Sequence, residues 1–190
     1  MSELVLNVAL VVPRTSVEGP GWRTAIWVQG CPLRCPGCCN PEMLAFAPRQ
    51  AIAAQALADA ALAAGVEGVT FLGGEPFAQA RPLADVAGRV RAAGLSVMVF
   101  SGYTLEELHD LPDAQALLTV TDLLVDGRYV EAERTTRRRF MGSDNQRLHH
   151  LTERHRGDPR LGGDNHVELR LDRGAVTLLG YPSQGRRTRP

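Results

Sequence analysis

The stretch TAIWVQGCPLRCPGCCNPE, residues 24–42, joins a short apolar run to a loop that is rich in cysteine, proline and glycine. The apolar run, residues 24–29, predicts a buried β-strand that leads directly into the loop. All four cysteines of the 190-residue chain fall in this loop, within nine positions, at Cys31, Cys35, Cys38 and Cys39. The first question that the sequence poses is therefore which chemistry needs thiols at this spacing.

Segments typical of helices follow the cysteine loop. Residues 51–65 predict a helix that ends at Gly65, since glycine suits the position just after a helix. Its three-to-four spacing places on the buried face Ile52, Ala56, Leu57, Ala60 and Ala63 or Ala64. A second helix, before Gly94, repeats apolar residues at Leu83, Val86, Ala87 and Val90. A third, over residues 105–118, is interrupted or kinked by Pro112.

Apolar runs between these helices predict buried strands. They are VEGVTFLGG (66–74), LSVMVFSG (95–102) and TDLLVDG (121–127). Strands that alternate with helices form parallel βαβ units, and parallel sheets place ligands at the carboxyl ends of their strands. The cysteine loop and the turn GGEP, residues 73–76, both follow strands, so we expect them at one edge of a sheet. Because 190 residues are few for an eight-fold barrel, we predict an α/β fold, an open, partial parallel β/α barrel.

The C-terminal part of the chain has a different character. We predict the barrel core over residues 1–152 and, in the same domain, a connecting loop, a β-hairpin and a tail over residues 153–190. The hairpin is predicted because apolar and polar residues alternate, with apolar ones at Val167, Leu169 and Leu171. A turn at residues 172–174 leads into its second strand, and the final GRRTRP, residues 185–190, predicts a disordered tail.

The composition limits the classes of function. The 21 basic and 21 acidic residues balance, which argues against a protein that holds nucleic acid through its phosphates. We therefore interpret the basic run at residues 137–139 as a solvated face. No stretch is long and apolar enough to span a membrane, and the start MSELVLNVALVVPR lacks the features of a secretory signal. We expect a cytoplasmic globular protein without nucleic-acid or membrane partners.

Three kinds of site use closely spaced cysteines. A disulfide fits poorly, because a cytoplasmic chain stays reduced and short spacings strain the bridge. Structural zinc usually takes two separated pairs of ligands, whereas Cys38 and Cys39 are adjacent and the five histidines lie far downstream. Thiolates at C-x3-C-x2-C spacing can hold three corners of a cubane iron–sulfur cluster and leave the fourth iron open. Adjacent side chains diverge in an extended segment, so we do not expect Cys39 to join Cys38 on one cluster.

Cys31, Cys35 and Cys38, in this C-x3-C-x2-C arrangement, resemble the signature of the radical S-adenosylmethionine superfamily. The GGEP turn after the next strand resembles the second hallmark of that superfamily. The phrases GCPLRCPGCCNPE, FSGYTLEEL, DLLVDGRYVE and MGSDNQR are similar to the family of activating proteins of anaerobic ribonucleoside-triphosphate reductase. The resemblance covers roughly residues 5–150, and the predicted hairpin lies outside it.

The resemblance implies an enzyme with two cofactors, a 4Fe-4S cluster with three cysteine ligands and S-adenosylmethionine chelated by the open fourth iron. In that family the reduced cluster splits S-adenosylmethionine into methionine and a 5′-deoxyadenosyl radical. The radical takes a hydrogen from a glycine α-carbon of a larger partner, a glycyl-radical enzyme. A flavodoxin-like or other electron donor is implied as a further partner. By position, the iron ligands, catalytic through the cluster, are Cys31, Cys35 and Cys38.

The resemblance also assigns residues to S-adenosylmethionine. Gly73 and Gly74 would let backbone carbonyls approach its ammonium group, and Glu75 would accept a further bond from it. Taken alone, GGEP also fits an ordinary strand-to-helix turn. Ser101 and Asp126, at the ends of later strands, would touch the ribose or the incoming glycine loop, although both residue types also favour turns.

Gly37, Cys38 and Cys39 would lie along the adenine side of the cofactor. Cys39 stands where the activating proteins commonly have tyrosine, which removes a stacking surface, and we expect it to be a small apolar filler. Asn145, Gln146 and Arg147 match a recurring phrase of the family, with no role that the sequence defines.

Two other functions stay open. One is a radical S-adenosylmethionine enzyme that acts on a small molecule or a peptide, which a large buried pocket would favour. The other is a non-catalytic iron–sulfur electron carrier, whose cluster would not respond to S-adenosylmethionine. The GGEP turn and the helix–strand scaffold argue against the carrier, because a carrier needs neither.

Overall fold

The computed structural model describes residues 3–172 and 175–181. The strands are β1 (Val5–Thr15), β2 (Arg23–Val28), β3 (Gln50–Ala53), β4 (Gly68–Gly73), β5 (Ser96–Phe100), β6 (Leu123–Asp126), β7 (Arg147–His150), β8 (Val167–Asp172) and β9 (Ala175–Gly180). The α-helices are α1 (Ala54–Ala63), α2 (Ala80–Ala92), α3 (Leu105–Asp110) and α4 (Ala114–Leu118). Short 3₁₀ helices lie at Pro41–Met43, Pro76–Gln79, Glu131–Glu133, Glu153–His155 and Pro159–Leu161.

The main sheet has seven strands in the order β3-β1-β2-β4-β5-β6-β7, and β8 and β9 form a separate hairpin. The central strands β2, β4, β5 and β6 are parallel, as the alternation of strands and helices predicts. The flanking strands β1, β3 and β7 are antiparallel to their neighbours. The sequence did not predict these flanks, because Asn7 and Pro13 interrupt the apolar pattern of β1 and β7 reads RLHH.

The helices pack against one face of the sheet. Alternate residues of the central strands point toward them, among them Ile26, Phe71 and Val99. The predicted buried positions of α2 are confirmed, since Leu83, Val86, Ala87 and Val90 are all buried. The predicted interruption by Pro112 is also confirmed, because α3 ends at Asp110 and α4 begins only at Ala114.

The predicted helix over residues 51–65 was wrong at its start and on part of its face. Residues up to Ala53 form strand β3, which pairs with β1. The buried residues of α1 are Ala54, Leu57, Ala58 and Ala61, whereas the predicted Ala56 and Ala60 are exposed. Leu57 alone does not fix the orientation of such an alanine-rich helix from its sequence, because alanine is accepted on either face. The end of the helix is as predicted, with Gly65 at a φ of 62°.

The opposite face of the sheet is covered by loops and by the hairpin. Leu179 of β9 is 1% exposed and packs in a cluster with Trp27 and Leu72 of the sheet. A second cluster on the same side includes Phe140 and Met141 from the loop before β7. The predicted β-hairpin is thus confirmed as β8 and β9, paired antiparallel. Arg173 and Gly174 of its predicted turn, and the predicted tail at 185–190, lie outside the described residues.

The basic run at residues 137–139 is only partly the solvated face that we expected. Arg137 is exposed, whereas Arg138 and Arg139 are half-buried. Arg138 donates to the backbone carbonyl of Asp144, and Arg139 donates to that of Asp164 at 3.2 Å. Within the described part of the chain, no helix combines the length and apolar character that crossing a bilayer requires.

Candidate functional site

A cleft lies at the carboxyl ends of the four parallel strands, where the strand alternation predicts a ligand site. The empty space within it is roughly 750 Å³, a figure that includes the open mouth. The cysteine loop and the GGEP turn meet there, and the lining includes Cys31, Cys35, Cys38, Gly73, Gly74 and Glu75. The two segments that the sequence singled out are therefore walls of the same cleft.

The cysteine loop is held at its base and turns sharply at its tip. The Gly30 and Cys31 N–H groups donate to the carbonyls of Met43 and Leu44, at 2.9 and 3.1 Å. At the tip, the Cys38 N–H donates to the Cys35 carbonyl at 3.2 Å. Gly37 has a φ of 71°, a conformation that favours glycine, so the proline–glycine pair forms this turn.

The four thiols are unbridged, and their surroundings differ. Burial raises the pKa of the Cys31 thiol above its usual value. The pKa of Cys38 is also raised, chiefly by a hydrogen bond with the Cys39 thiol and then by burial. The Cys38 and Cys39 thiols are therefore close to each other, although adjacent side chains were expected to diverge, and the absence of Cys39 from the cluster stays a prediction. Cys39 lines the cleft as well, beside its neighbour.

The two glycines of the GGEP turn are required by close packing. Gly73 has a φ of 106°, and a Cβ there would lie 2.8 Å from the Trp27 Cα. A Cβ on Gly74 would lie 2.3 Å from the Gly30 carbonyl oxygen. The Glu75 N–H donates to the same Gly30 carbonyl at 2.8 Å. The absence of side chains at both positions thus lets the turn lie directly against the end of β2 and the base of the cysteine loop.

Glu75 connects the ends of β4 and β5. One carboxylate oxygen accepts from the Phe77 N–H and the Ser101 hydroxyl, both at 3.0 Å, and the other accepts from the Gly102 N–H at 2.9 Å. Burial raises the pKa of this carboxyl group to about 7, against the opposing effect of the three donors. A carboxylate has about four lone-pair sites, and these three donors use three of them.

Ser101 and Asp126 take different positions. Ser101 lines the cleft and donates to Glu75, whereas Asp126 is fully buried and does not line it. The Asp126 carboxylate accepts from the Leu105 N–H at 2.6 Å and from the Arg147 guanidinium at 2.5 and 3.0 Å. Its neighbour Gly127 lines the cleft in its place.

Asn145 and Gln146, in the segment Asn145–Arg147, hold the backbone at the edge of the cleft in place. The Gln146 side chain accepts from the Gly142 N–H at 2.8 Å and donates to the Gly127 carbonyl at 3.0 Å. Asn145 donates to the Arg128 carbonyl at 2.8 Å. These bonds join the end of β6 to the loop before β7, a role that the sequence alone did not define.

Four polar side chains of the cleft were not predicted: Glu18, Asn40, Tyr129 and Tyr181. Asn40 donates through its backbone N–H to the Cys38 sulfur and through its side chain to the Gly73 carbonyl, both at 3.4 Å. Asn40 and Tyr129 lie within two segments that resemble the family, GCPLRCPGCCNPE and DLLVDGRYVE, so their position in the chain could have identified them. Glu18 and Tyr181 come from segments far away in the chain, and nothing in the sequence indicated that they would line the cleft.

The donor set of the cleft fits an iron–sulfur cluster. Three thiols, which are soft ligands, are spread along one loop and line one cavity beside a turn without Cβ atoms. Among the described residues, no three or more His, Cys, Asp or Glu side chains lie close enough together to hold a single metal ion. Cys31, Cys35 and Cys38 are the residues that would hold the corners of a cluster.

The fold and the thiol-lined cleft define a class, a single-cluster iron–sulfur protein built on a mixed α/β sheet. A family model described as a 4Fe-4S single cluster domain matches residues 17–149. The anaerobic ribonucleoside-triphosphate reductase-activating protein of Escherichia coli K12 is 30% identical over 159 residues, which cover 77% of this chain and 99% of the relative. The chain therefore belongs to the family of anaerobic ribonucleoside-triphosphate reductase-activating proteins.

Two further relatives agree with this assignment. The protein of the same name from Vibrio cholerae is 29% identical over 157 residues, 77% of this chain and 99% of the relative. The pyruvate formate-lyase-activating enzyme of Listeria monocytogenes is 32% identical over 143 residues, 70% of this chain and 58% of the relative. All three relatives are named as activating proteins or enzymes.

Proposed function

We propose that this protein is a radical S-adenosylmethionine activase that installs a glycyl radical on a larger partner enzyme. The observation that carries the proposal is the single cleft lined by Cys31, Cys35, Cys38 and the turn Gly73–Glu75. The names of the relatives point to an anaerobic ribonucleoside-triphosphate reductase as the partner. We take the mixed sheet as an open, partial barrel of the radical S-adenosylmethionine type, with residues 1–152 and 153–190 in one domain.

The cofactors would be one 4Fe-4S cluster on Cys31, Cys35 and Cys38, with an open fourth iron, and S-adenosylmethionine. When bound, they supply one electron to the sulfonium and a 5′-deoxyadenosyl radical that abstracts hydrogen from the glycine α-carbon. The electron comes from a flavodoxin-like or other donor, and we place the protein in the cytoplasm, where thiols stay reduced.

The residues of the chain bind and orient the cofactors, and they exclude water from the reacting atoms. Gly73 and Gly74 let the turn lie against β2 and the cysteine loop, and both line the cleft, where their carbonyls would accept from the ammonium group of S-adenosylmethionine. Glu75, held by its three donors, offers its remaining lone pair to the ammonium group of S-adenosylmethionine. Leu72 and Phe100 supply apolar walls, which favour the exclusion of water from the reacting atoms.

Other predicted contacts keep their roles as proposals. Cys39 and Ser101 line the cleft, and we assign Cys39 to the adenine and Ser101 to the ribose. Gly37 is not part of the lining, so its role in this proposal is to form the turn that positions Cys38 and Cys39. Asp126 acts on the cofactor indirectly in this proposal, since its carboxylate is already engaged by Arg147 and Leu105.

The proposal is tested by incubating the anaerobically reconstituted protein, S-adenosylmethionine and a reductant with the large subunit of an anaerobic ribonucleoside-triphosphate reductase. We expect an electron paramagnetic resonance doublet of a glycyl radical on the partner, absent with the Cys35→Ala variant. Formation of 5′-deoxyadenosine without a partner radical would favour the alternative substrate, a small molecule or peptide. A cluster that ignores S-adenosylmethionine would favour the electron carrier.

A further inference from the structure

The C-terminal hairpin has one face that is largely exposed and apolar. Leu169 pairs with Leu178 and Leu171 with Val176, so these four side chains share a face with Val167. The exposed fractions are 50% for Val167, 61% for Leu169 and 75% for Leu171. A contiguous group of exposed apolar side chains on a protein surface is typical of an interaction site. We call these five residues the outer face of the hairpin.

The other face of the hairpin is fixed to the body of the protein. Leu179 is buried against the sheet, and the Thr15 hydroxyl donates to the Glu168 carboxylate at 2.6 Å. The Gly180 N–H donates to the buried Glu18 carboxylate at 2.8 Å. A two-stranded hairpin alone is marginal in water, so these contacts give the outer face a defined position.

The hairpin leads directly into the cleft. Tyr181, the residue after β9, lines the cleft, and its ring lies so close to Gly142 that a Cβ there would be 2.7 Å from the Tyr181 Cε1. From Val176 to Tyr181 a strand extends about 17 Å. A standard protein interface covers about 800 Å² on each partner and is about 30 Å across. The hairpin therefore lies within the span of an interface with a protein that inserts a glycine into the cleft.

The hairpin lies outside residues 17–149, which the family model matches, and the relatives matched over 99% of their own length cover 77% of this chain. The outer face is thus an addition to the shared core, located beside the substrate opening.

We infer that the outer face of the hairpin binds the glycyl-radical enzyme whose glycine enters the cleft. The inference rests on the proposed function and names the surface that recognises the partner. The hairpin then has two roles: it brings Tyr181 to the cleft, and its outer face extends the contact with the partner.

The test replaces Leu169 and Leu171 together by glutamate and compares the variant with wild type and with Leu62→Glu. Leu62 is a matched control, because it is 40% exposed on α1, at the opposite face of the sheet. Iron content, the response of the cluster signal to S-adenosylmethionine and 5′-deoxyadenosine formation without partner are measured first. We expect all three to be unchanged in both variants, since neither change touches the cleft.

Binding to the reductase large subunit and the yield of its glycyl radical are measured next. We expect the double variant to bind at least about tenfold more weakly, which is the effect of losing about 1.4 kcal/mol, and the control to bind like wild type. Leu171→Glu alone, at the most exposed position, provides a milder variant with an intermediate loss.

Three results would overturn the inference. The first is normal binding and radical yield in the double variant. The second is a wild-type dimer that the double variant converts to a monomer in size-exclusion chromatography, because the outer face would then bind a second copy. The third is a wild-type protein that cleaves S-adenosylmethionine but leaves no radical on the reductase, which would remove the proposed function as well.

Discussion

Two fully buried charged side chains lie at opposite edges of the parallel strands, and they differ in what their surroundings leave available. Arg23, at the amino edge, donates five hydrogen bonds to Thr70, Pro20, Val69 and both oxygens of Ser96. Glu75, at the carboxyl edge, accepts three and lines a cleft. The guanidinium uses its whole donor capacity, whereas the carboxylate keeps one acceptor site.

The comparison teaches that a buried charge alone does not identify a functional site. Burial lowers the pKa of Arg23 to about 9 and raises that of Glu75 to about 7, so both groups are perturbed by the same cause. Only Glu75 adjoins an opening with unbridged thiols. We therefore assign Arg23 to stability and Glu75 to the site, and the following changes test that division.

The largest expected effect is the loss of the cluster in Cys35→Ala. A cluster held by three thiolates loses one corner, so we expect no stable iron and no cleavage of S-adenosylmethionine. Cys39→Ala is the matched control, since its thiol lies beside Cys38 but is not assigned as a ligand. Iron and sulfide analysis after anaerobic reconstitution measures both. Iron retained in Cys35→Ala and lost in Cys39→Ala would reverse the ligand assignment.

The next effect is expected at the amino edge, from Arg23→Met. The change leaves buried acceptors on Thr70, Val69 and Ser96 without donors, and we expect a loss of about 3–5 kcal/mol in the free energy of unfolding. Urea denaturation of the metal-free protein measures it. An unchanged or higher stability would mean that relief from burying the cation outweighs the lost hydrogen bonds.

Glu75 should show its perturbation as a dependence of stability on pH. Its folded pKa of about 7 lies above its ordinary value, so the folded protein keeps a proton that the unfolded chain releases. The free energy of unfolding should therefore fall by about 3 kcal/mol as the pH rises from the ordinary glutamate pKa to about 7, and level off above it. Denaturation of metal-free wild type and Glu75→Gln across this range measures the difference. Equal slopes in both proteins would contradict the assigned pKa.

The smallest effects are expected from two glycines. Gly74→Ala places a Cβ against the Gly30 carbonyl, and we expect a loss of about 1–3 kcal/mol together with weaker cluster retention. Gly88→Ala, on α2 with nothing near its added Cβ, should gain about 0.5–1 kcal/mol and leave the cluster intact. Thermal unfolding and iron content measure both. Similar losses in the two variants would show that the close packing of the GGEP turn is not special.

The parts of the fold that the sequence predicted are those with a strong local pattern. The continuous apolar runs of β4, β5 and β6 each predict a buried strand and no other structure. The periodic apolar pattern of α2 likewise predicts only a helix. β1 and β7 carry mixed patterns because they lie at the flanks of the parallel centre, and their antiparallel pairing depends on partners far away in the chain. The buried face of α1 could not be predicted, because alanine occurs on both the buried and the exposed side of this helix.

The site divides in the same way. The cysteine loop and the GGEP turn were recognisable because they are contiguous motifs, and the strand alternation predicts their common edge. Glu18 and Tyr181 are brought to the cleft by the fold, through the contact between the hairpin and the β1–β2 loop. Asp126 had the expected place in the chain, but Arg147 and the start of α3 take up its carboxylate. Position at a strand end therefore gives candidates, and the direction of each side chain selects among them.

The most direct test of the account is electron paramagnetic resonance of the anaerobically reconstituted and reduced protein, recorded with and without S-adenosylmethionine. We expect a 4Fe-4S signal that changes when S-adenosylmethionine is added, together with the formation of 5′-deoxyadenosine. The Glu75→Gln variant should form the same cluster but require more S-adenosylmethionine for the change. A cluster signal that stays the same in wild type, with no 5′-deoxyadenosine, would contradict the central claim.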